Sequence, residues 1–158
     1  MKEPKRIASF SVDHDCIDEG IYVSRIDGDI TTYDLRTRKP NCGDYMDNVT
    51  MHSVEHMIAT YIRNGSIGED VIYFGPMGCQ TGFYLLVRNR KDSEVLSALR
   101  QALLATVENT EGMFGASRRE CGNYKSLDIE AARKECKRYL EVISREEIDF
   151  KYKDGSAK

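Results

Sequence analysis

The chain has 158 residues, of which 41% are hydrophobic and 31% are charged, and its formal net charge is -3. This length suits one domain, because domains usually have about 100–150 residues. We expect a single domain over 1–158, with a core at about 7–143 and a polar tail at 144–158. A negative charge without a basic stripe argues against nucleic-acid binding. The apolar runs fall short of the ~20 residues of a membrane span and no signal peptide is visible, so we expect a cytoplasmic protein.

The first predicted elements are strands. Residues 7–12 alternate apolar and small polar side chains, and residues 20–26 repeat this pattern, which is typical of strands with one buried face. Asp27-Gly28 is a turn dipeptide, so residues 20–26 and 30–35 are predicted to form a hairpin.

A helix is predicted next. Asp47 or Asn48 can cap its N-terminus, and the helix is expected to end at about Asn64, with Gly65 as the left-handed residue that follows.

The remaining elements complete the predicted fold. Residues 71–74 and 82–87 are predicted strands joined by a tight loop. Amphipathic spacing predicts helices at 92–108 and 127–143, and the chain is expected to fray after Ser144. Few links between strands contain a helix, so the sequence predicts an α+β fold in which an antiparallel sheet packs against helices.

The first predicted helix carries the motif His52-Ser53-Val54-Glu55-His56. Residues four apart in a helix are about 40° apart around the axis, so His52 and His56 can share a cation. Glu55 borders the same side, in the inverted order of the zinc-peptidase motif, where the carboxylate is not a ligand. The alternative is a solvated helix face. The chain has three histidines in all, so finding two of them at this spacing beside a Glu favours the metal site.

A third metal ligand has to come from elsewhere in the chain. Cys121 is the candidate because it lies in a stretch without periodicity between two predicted helices, where a side chain can be aimed. The alternative is a small buried thiol. Two histidines and one thiolate would leave the fourth tetrahedral position open, as in catalytic metal sites.

Residues 75–82 enclose a second candidate thiol, Cys79, among three glycines and a proline. Glycines permit strained turns and close approach of a ligand, and a thiolate near a cation or backbone N–H groups can transfer protons. The alternative is a tight hairpin with an incidental small residue. Cys136 continues the apolar stripe of its helix and is expected in the core, whereas Cys16 and Cys42 receive no role. With an odd number of cysteines and no secretion signal, thiols are expected rather than disulfides.

Together these segments resemble the S-ribosylhomocysteine lyase (LuxS) family. The resembling segments occur in family order over about 7–143, and Pro76-Met77-Gly78-Cys79-Gln80-Thr81-Gly82 is the most distinctive of them. The others are Ser9-Phe10-Ser11-Val12-Asp13-His14, Tyr33-Asp34-Leu35-Arg36, the helical motif and Glu120-Cys121-Gly122.

The resemblance implies an activity and an assembly. The implied enzyme is a metal-dependent lyase that cleaves the thioether of S-ribosylhomocysteine by two carbonyl migrations and a β-elimination. Its products are homocysteine and 4,5-dihydroxypentane-2,3-dione, the precursor of the signal autoinducer-2. The resemblance also implies a bacterial homodimer with active sites at the subunit interface, and one divalent metal per subunit, natively Fe²⁺, with Zn²⁺ or Co²⁺ also accepted.

The family's residue roles fall on three sets of positions. The implied metal ligands are His52, His56 and Cys121. The implied acid/base groups are Cys79 and Glu55. The implied substrate contacts are Ser9, His14, Arg36 and Asp34.

Two other functions are open at the level of sequence. A peptidase of the inverted-motif type would use Glu55 to activate water, but it needs a carboxylate ligand far downstream and usually a longer chain. A structural metal module would have four protein ligands and no reactive cysteine.

Overall fold

The computed structural model describes residues 2–145 and 147–153, which form a four-stranded antiparallel sheet and three α-helices. The sheet order is β1-β2-β4-β3, and the predicted α+β architecture is confirmed. The strands are β1 (Gly20–Asp27), β2 (Ile30–Arg36), β3 (Val71–Pro76) and β4 (Gly82–Arg88). The helices are α1 (Asn48–Arg63), α2 (Asp92–Glu108) and α3 (Ile129–Ile143).

Strands β1 and β2 form the predicted hairpin. Asp27 pairs with Ile30, and Gly28 between them has φ +62°, a left-handed conformation that glycine adopts without strain. Strand β2 also pairs with β4, so it lies in the interior of the sheet.

Helix α1 begins as the sequence predicts. The side chain of Asp47 accepts a hydrogen bond of 2.7 Å from the backbone N–H of Thr50. Its end differs from the prediction, because Gly65 does not adopt the left-handed conformation. Instead the N–H groups of Asn64 and Gly65 bond to carbonyls of the last turn, and these tighter bonds satisfy the helix end without a left-handed residue.

The core lies between the sheet and the three helices, which pack on one another. Its fully buried side chains include Tyr33, Leu35, Phe83 and Leu85 from the strands and Met57, Ile58, Val95 and Leu99 from the helices. Cys136 is buried as expected, and none of the five cysteines, all of which lie in the described part of the chain, forms a disulfide. Among the described residues, no helix is both long enough and apolar enough to span a bilayer.

The predicted strand at 7–12 is wrong. These residues form a short 3-10 turn at Ala8–Phe10, and Ile7 and Phe10 are 54% and 64% exposed. The backbone bonds locally, from the N–H of Phe10 to Ile7 and from the N–H of Ser11 to Ala8, rather than to a neighbouring strand. Alternating side chains predict a strand correctly only where a sheet edge is available to pair with it.

The C-terminal segment is also different from the prediction. Residues 147–153 do not fray, because the N–H of Val23 on β1 donates to the carbonyl of Phe150 at 2.8 Å. Ile148 and Phe150 pack against the core. Charged residues separate these apolar ones, so the segment is polar on average. The average polarity therefore predicts a frayed tail, although the alternate side chains reach the core. Residues 154–158, the remainder of the predicted tail, lie outside the described part of the chain.

Candidate metal centre and adjacent thiol

The three predicted metal ligands lie together. The donor atoms of His52, His56 and Cys121 are all within 4.8 Å of one another, and Cys121 Sγ is 3.4 Å from His52 Nε2. The two histidines come from one face of α1, and Cys121 comes from the loop between α2 and α3. Among the residues that the structure describes, no fourth His, Cys, Asp or Glu joins this group.

Backbone carbonyls orient both imidazole rings. His52 Nδ1 lies 2.8 Å from the carbonyl oxygen of Ser126, and His56 Nδ1 lies 2.9 Å from that of Phe114. A carbonyl accepts only, so each Nδ1 carries the proton and each Nε2 is left as the donor atom for a metal. Both carbonyls belong to the same loop as Cys121, so this loop supplies one ligand and positions the other two.

Glycine is required where this loop passes His56. Gly115 has φ +63°, and a Cβ atom at this position would lie 3.0 Å from His56 Nδ1. The signal in the sequence that could have identified Gly115 is its place in the same stretch between two predicted helices as Cys121.

The residues of this group fit a divalent metal. Two imidazole nitrogens and a thiolate suit a borderline cation such as Zn²⁺ or Fe²⁺, and three protein ligands leave a coordination position open. The backbone N–H of Asn123 points at Cys121 Sγ at 3.4 Å. Glu55 is half-buried on the same helix, and it makes no side-chain hydrogen bond or ion pair within 2–145 and 147–153. Its carboxylate is therefore available for proton transfer.

Cys79 lies in a tight turn between β3 and β4. The N–H of Gln80 bonds to the carbonyl of Met77 at 3.0 Å, and the N–H of Met77 bonds to the carbonyl of Gly82 at 2.8 Å. Gln80 itself has φ +65°, a left-handed conformation that is uncommon for a residue with a side chain. This turn leaves Cys79 exposed, with its Sγ 3.0 Å from Thr81 Oγ1.

A buried ion pair lies directly behind Cys79. Arg36 is 2% exposed, and its Nη1 is 2.8 Å from Thr81 Oγ1 and 3.9 Å from Cys79 Sγ. Its Nε and Nη2 donate to the two carboxylate oxygens of Asp34 at 3.0 and 2.6 Å. Burial opposes the charge on the guanidinium, but the hydrogen bonds and charge of Asp34 outweigh it and raise the pKa of Arg36. A permanently charged guanidinium therefore lies beside the thiol of Cys79.

Glycines make room for this guanidinium. Arg36 pairs in register with Gly20 on β1 and with Gly82 on β4, so the residues directly opposite it on both neighbouring strands have no side chain. A Cβ atom at Gly82 would lie 2.5 Å from the carbonyl oxygen of Leu35. The last glycine of the Cys79 segment is thus needed for close strand packing.

The Cys79 turn is joined to the start of helix α1, which carries the two candidate histidine ligands. The N–H of Met46 donates to the carbonyl of Gln80 at 3.0 Å, and Asp47 then caps α1. His52 lies about 6 Å further along the helix axis than Asn48, at 1.5 Å per residue. Within the described residues, no side-chain hydrogen bond links Cys79 to the three metal ligands.

His14 lies in the same pocket as Cys79. A cavity of about 280 Å³ is lined by both residues and by Tyr45 and Thr81. His14 also lines a neighbouring cavity of about 680 Å³, together with Phe10 and Tyr152. Ser9, another predicted substrate contact, is half-buried in the Ala8–Phe10 turn and lines neither cavity.

Similar proteins point to one family. The chain matches the S-ribosylhomocysteinase (LuxS) family over residues 7–149. The chain belongs to the LuxS family. A protein named S-ribosylhomocysteine lyase from Borreliella afzelii is 40% identical over 155 residues, which is 94% of this chain and 99% of the relative. Proteins with the same name from Desulfotalea psychrophila and Phocaeicola vulgatus are each 41% identical over 145 residues, 88% of this chain and 91% and 90% of the relatives.

Membership of the LuxS family confirms the resemblance identified from sequence. All the metal, acid/base and substrate positions assigned from sequence lie within the matched range. The range ends at residue 149. The last described residues, 150–153, therefore lie beyond the LuxS match, although they contact the sheet.

Proposed function

We propose that this protein is a metal-dependent S-ribosylhomocysteine lyase that forms homocysteine and 4,5-dihydroxypentane-2,3-dione, the autoinducer-2 precursor. The observation that carries the proposal is the convergence of His52, His56 and Cys121, which no fourth His, Cys, Asp or Glu of the described residues joins. The names of the relatives support the same substrate. A peptidase of the inverted-motif type is disfavoured, because within the described residues the third member of the group is a thiol and not a carboxylate.

The reaction consists of proton transfers followed by one bond cleavage. Each carbonyl migration removes a proton from one sugar carbon and returns a proton to the neighbouring carbon, so the composition of the sugar is unchanged. Two migrations move the carbonyl from C1 to C3. Removal of the C4 proton then expels homocysteine thiolate from C5, and this thiolate takes up a proton. His52, His56 and Cys121 would hold a divalent cation, which would supply a Lewis acid for the sugar oxygens.

Two acid/base groups divide the proton transfers. Successive protons leave different carbons, so groups at two places around the substrate are needed. We assign these roles to Cys79, which has Arg36 beside it, and to Glu55, whose carboxylate has no competing partner among the described residues. A positioned acid/base group typically contributes about 10²- to 10⁴-fold to the rate.

Four residues are proposed as substrate contacts. His14 is supported by its place in the cavity that Cys79 lines. Arg36 and Asp34 lie behind the thiol of Cys79. We therefore propose that they act on the part of the substrate that lies next to Cys79. Ser9 stays a prediction, because it lines neither cavity of the single chain.

The native metal, the cellular compartment and the oligomeric state are proposed from membership of the LuxS family. We propose Fe²⁺ as the native metal, with Zn²⁺ or Co²⁺ as substitutes, and a cytoplasmic homodimer. Phe10 and Tyr45 support an interface at the active site, because both are exposed and both line cavities that adjoin His14. Closing these cavities with a second subunit would exclude water from the sugar.

Incubation with the substrate tests the proposed function. Protein purified without oxygen is mixed with S-ribosylhomocysteine, and new free thiol is measured with a chromogenic disulfide. We expect one thiol per substrate consumed, and release slower by about 10²-fold or more with Cys79→Ala carrying the same amount of metal. If the metal-loaded wild type releases no thiol, the proposed function is wrong.

A further inference from the structure

The C-terminal segment reaches the ion pair behind Cys79. The hydroxyl of Tyr152 donates a hydrogen bond of 2.8 Å to Asp34 Oδ2, 118 residues away in sequence. The same carboxylate holds the guanidinium of Arg36 through both of its oxygens. A continuous chain of contacts therefore runs from Tyr152 through Asp34 and Arg36 to Cys79.

Tyr152 is held in place independently of this hydrogen bond. Its ring stacks on that of Tyr22, with centroids 4.9 Å apart and planes 15° from parallel. The preceding backbone is tied to β1 by the bond between Val23 and Phe150, and Lys153 pairs with Asp18 at 3.1 Å. The ring stack, the backbone hydrogen bond and the ion pair thus hold the segment on both sides of the phenol. The hydroxyl is therefore held beside Asp34.

The hydroxyl of Tyr152 acts as a hydrogen-bond donor here. Burial, followed by the negative charge of Asp34, raises the pKa of Tyr152, so the phenol keeps its proton over the working range of an enzyme. The carboxylate of Asp34 is acceptor-only, and its side chain is 3% exposed. Without the phenol, one lone pair of this buried carboxylate would have no donor in its place, and the two hydrogen bonds from Arg36 would be left to position Asp34.

We propose that Tyr152 is a positioning residue for the thiol, because its hydroxyl fixes Asp34 and thereby holds Arg36 against Cys79. The inference rests on the acid/base role proposed for Cys79. It goes beyond the family match, which ends three residues before Tyr152. The C-terminal segment, which the sequence predicts to fray, would therefore support the active site.

The test compares Tyr152→Phe with the wild type in two measurements. The first is the rate at which iodoacetamide alkylates Cys79, followed by mass spectrometry of its peptide, with exposed Cys42 in the same sample as the reference. The second is the release of homocysteine. We expect alkylation of Cys79 and kcat to fall by about 3- to 10-fold, the factor that one hydrogen bond contributes, while the alkylation of Cys42 stays unchanged.

Tyr22→Phe is the matched control. It also removes one phenol hydroxyl from the stacked pair, but that hydroxyl donates to the carbonyl of Asp18 and not to Asp34. Both rates should match the wild type in this variant. Tyr152→Phe keeps its ring and changes none of the three candidate metal ligands, so its metal content should also match the wild type.

The outcomes separate this proposal from the proposed function. Wild-type rates of Cys79 alkylation in Tyr152→Phe would overturn the positioning role, whether or not turnover falls. An equal loss in Tyr22→Phe would also overturn it, because the effect would then come from the stack. If the wild type releases no homocysteine, the lyase proposal fails, but the alkylation rates still decide whether Tyr152 controls the thiol.

Discussion

At the scale of single residues, the two cysteines of the site are in different surroundings. Cys121 lies 3.4 Å from a histidine nitrogen and receives a backbone N–H. Cys79 is exposed in a turn and has a buried guanidinium behind it. The first arrangement suits a metal ligand and the second suits a group that exchanges protons with a substrate, so the two thiols should respond differently to substitution.

Replacing Cys121 should remove the metal. In Cys121→Ala two imidazoles remain, and two neutral ligands hold a divalent cation far more weakly than a set that includes a thiolate. We expect metal content, measured by mass spectrometry of the purified protein, to fall at least tenfold, and homocysteine release to fall with it. Cys42→Ala, which changes an exposed loop thiol, should keep both. Full metal occupancy in Cys121→Ala would contradict the assignment.

Replacing Cys79 should leave the metal in place. Cys79→Ala removes a proposed acid/base group but no ligand, so metal content should equal that of the wild type. Homocysteine release should fall by about 10²-fold or more. Normal release in this variant would exclude Cys79 from the mechanism, whereas loss of metal would show that the two groups are not independent.

The sequence predicts the helical part of the site better than the rest. His52 and His56 lie four residues apart, and helix geometry alone brings them together. Cys121 is 69 residues from His52, and no local pattern specifies that distance. The carbonyls of Phe114 and Ser126 could not be predicted, because every residue has a carbonyl and only the folded loop decides where it points.

At the scale of elements, the loop between α2 and α3 depends on glycine at 115. Gly115→Ala would add a Cβ 3.0 Å from His56 Nδ1 at a left-handed position. Backbone strain should lower the free energy of unfolding by about 1–2 kcal/mol. The affinity for the metal, measured by competition with a chelator, should also fall. Gly28→Ala is the control, since its φ of +62° is similar and nothing lies within 4 Å. Equal metal affinities in the two variants would contradict the proposed role of Gly115.

The start of α1 gives a prediction that depends on pH. The hydrogen bond from the backbone of Thr50 lowers the pKa of Asp47. A carboxylate whose pKa is lower in the folded than in the unfolded state stabilises the fold at pH values above its unfolded-state pKa. This stabilisation is lost as the pH falls through the folded-state pKa. Asp47→Ala should therefore cost about 1 kcal/mol at pH 7. This difference, measured by urea unfolding, should shrink below about pH 3.8, the ordinary value for Asp.

A control identifies the cap as the cause. Asp29→Ala also removes one exposed carboxylate, but Asp29 pairs only across 3.3 Å with exposed Arg88. Such an exposed pair contributes little to stability. The free energy of unfolding of this variant should therefore be close to that of the wild type both at pH 7 and at the acidic pH. A cost for Asp47→Ala that is independent of pH would show that the charge of Asp47 is not what stabilises the helix.

Elements were predictable where the local pattern and the available partner agreed. The hairpin of β1 and β2 follows from alternation on both sides of Asp27-Gly28. Residues 7–12 alternate equally well, but they pair with no strand and form a 3-10 turn. The edge of β1 instead receives Phe150 from the far end of the chain. Sequence periodicity describes one strand, whereas a sheet edge is a property of the whole fold.

At the scale of the whole molecule, the exposed apolar residues favour an assembly of two chains. Phe10 and Tyr45 are 64% and 45% exposed, and they line the cavities that meet at His14. Large apolar side chains beside a binding cavity are typical of surfaces that a partner covers. A homodimer formed through this surface would bury them and narrow the openings of both cavities.

Sedimentation tests this assembly. The wild type should have a mass of about 36 kDa, twice the 18.0 kDa of one chain. Phe10→Asp should shift the mass toward 18.0 kDa and reduce homocysteine release, while the metal stays, because the three ligands come from one chain. Burying an unpaired carboxylate in an apolar interface costs several kcal/mol, which is enough to dissociate many dimers.

Ile26→Asp is the control for this experiment. Ile26 is 66% exposed, as much as Phe10, but it lies at the turn end of β1 and lines neither cavity. The same change of charge should therefore leave the mass and the activity of the dimer unchanged. If Phe10→Asp remains a dimer with full activity, the interface does not cover this pocket. Each active site would then have to be complete within one chain, and Ser9, which lines neither cavity, would lose its proposed place at the substrate.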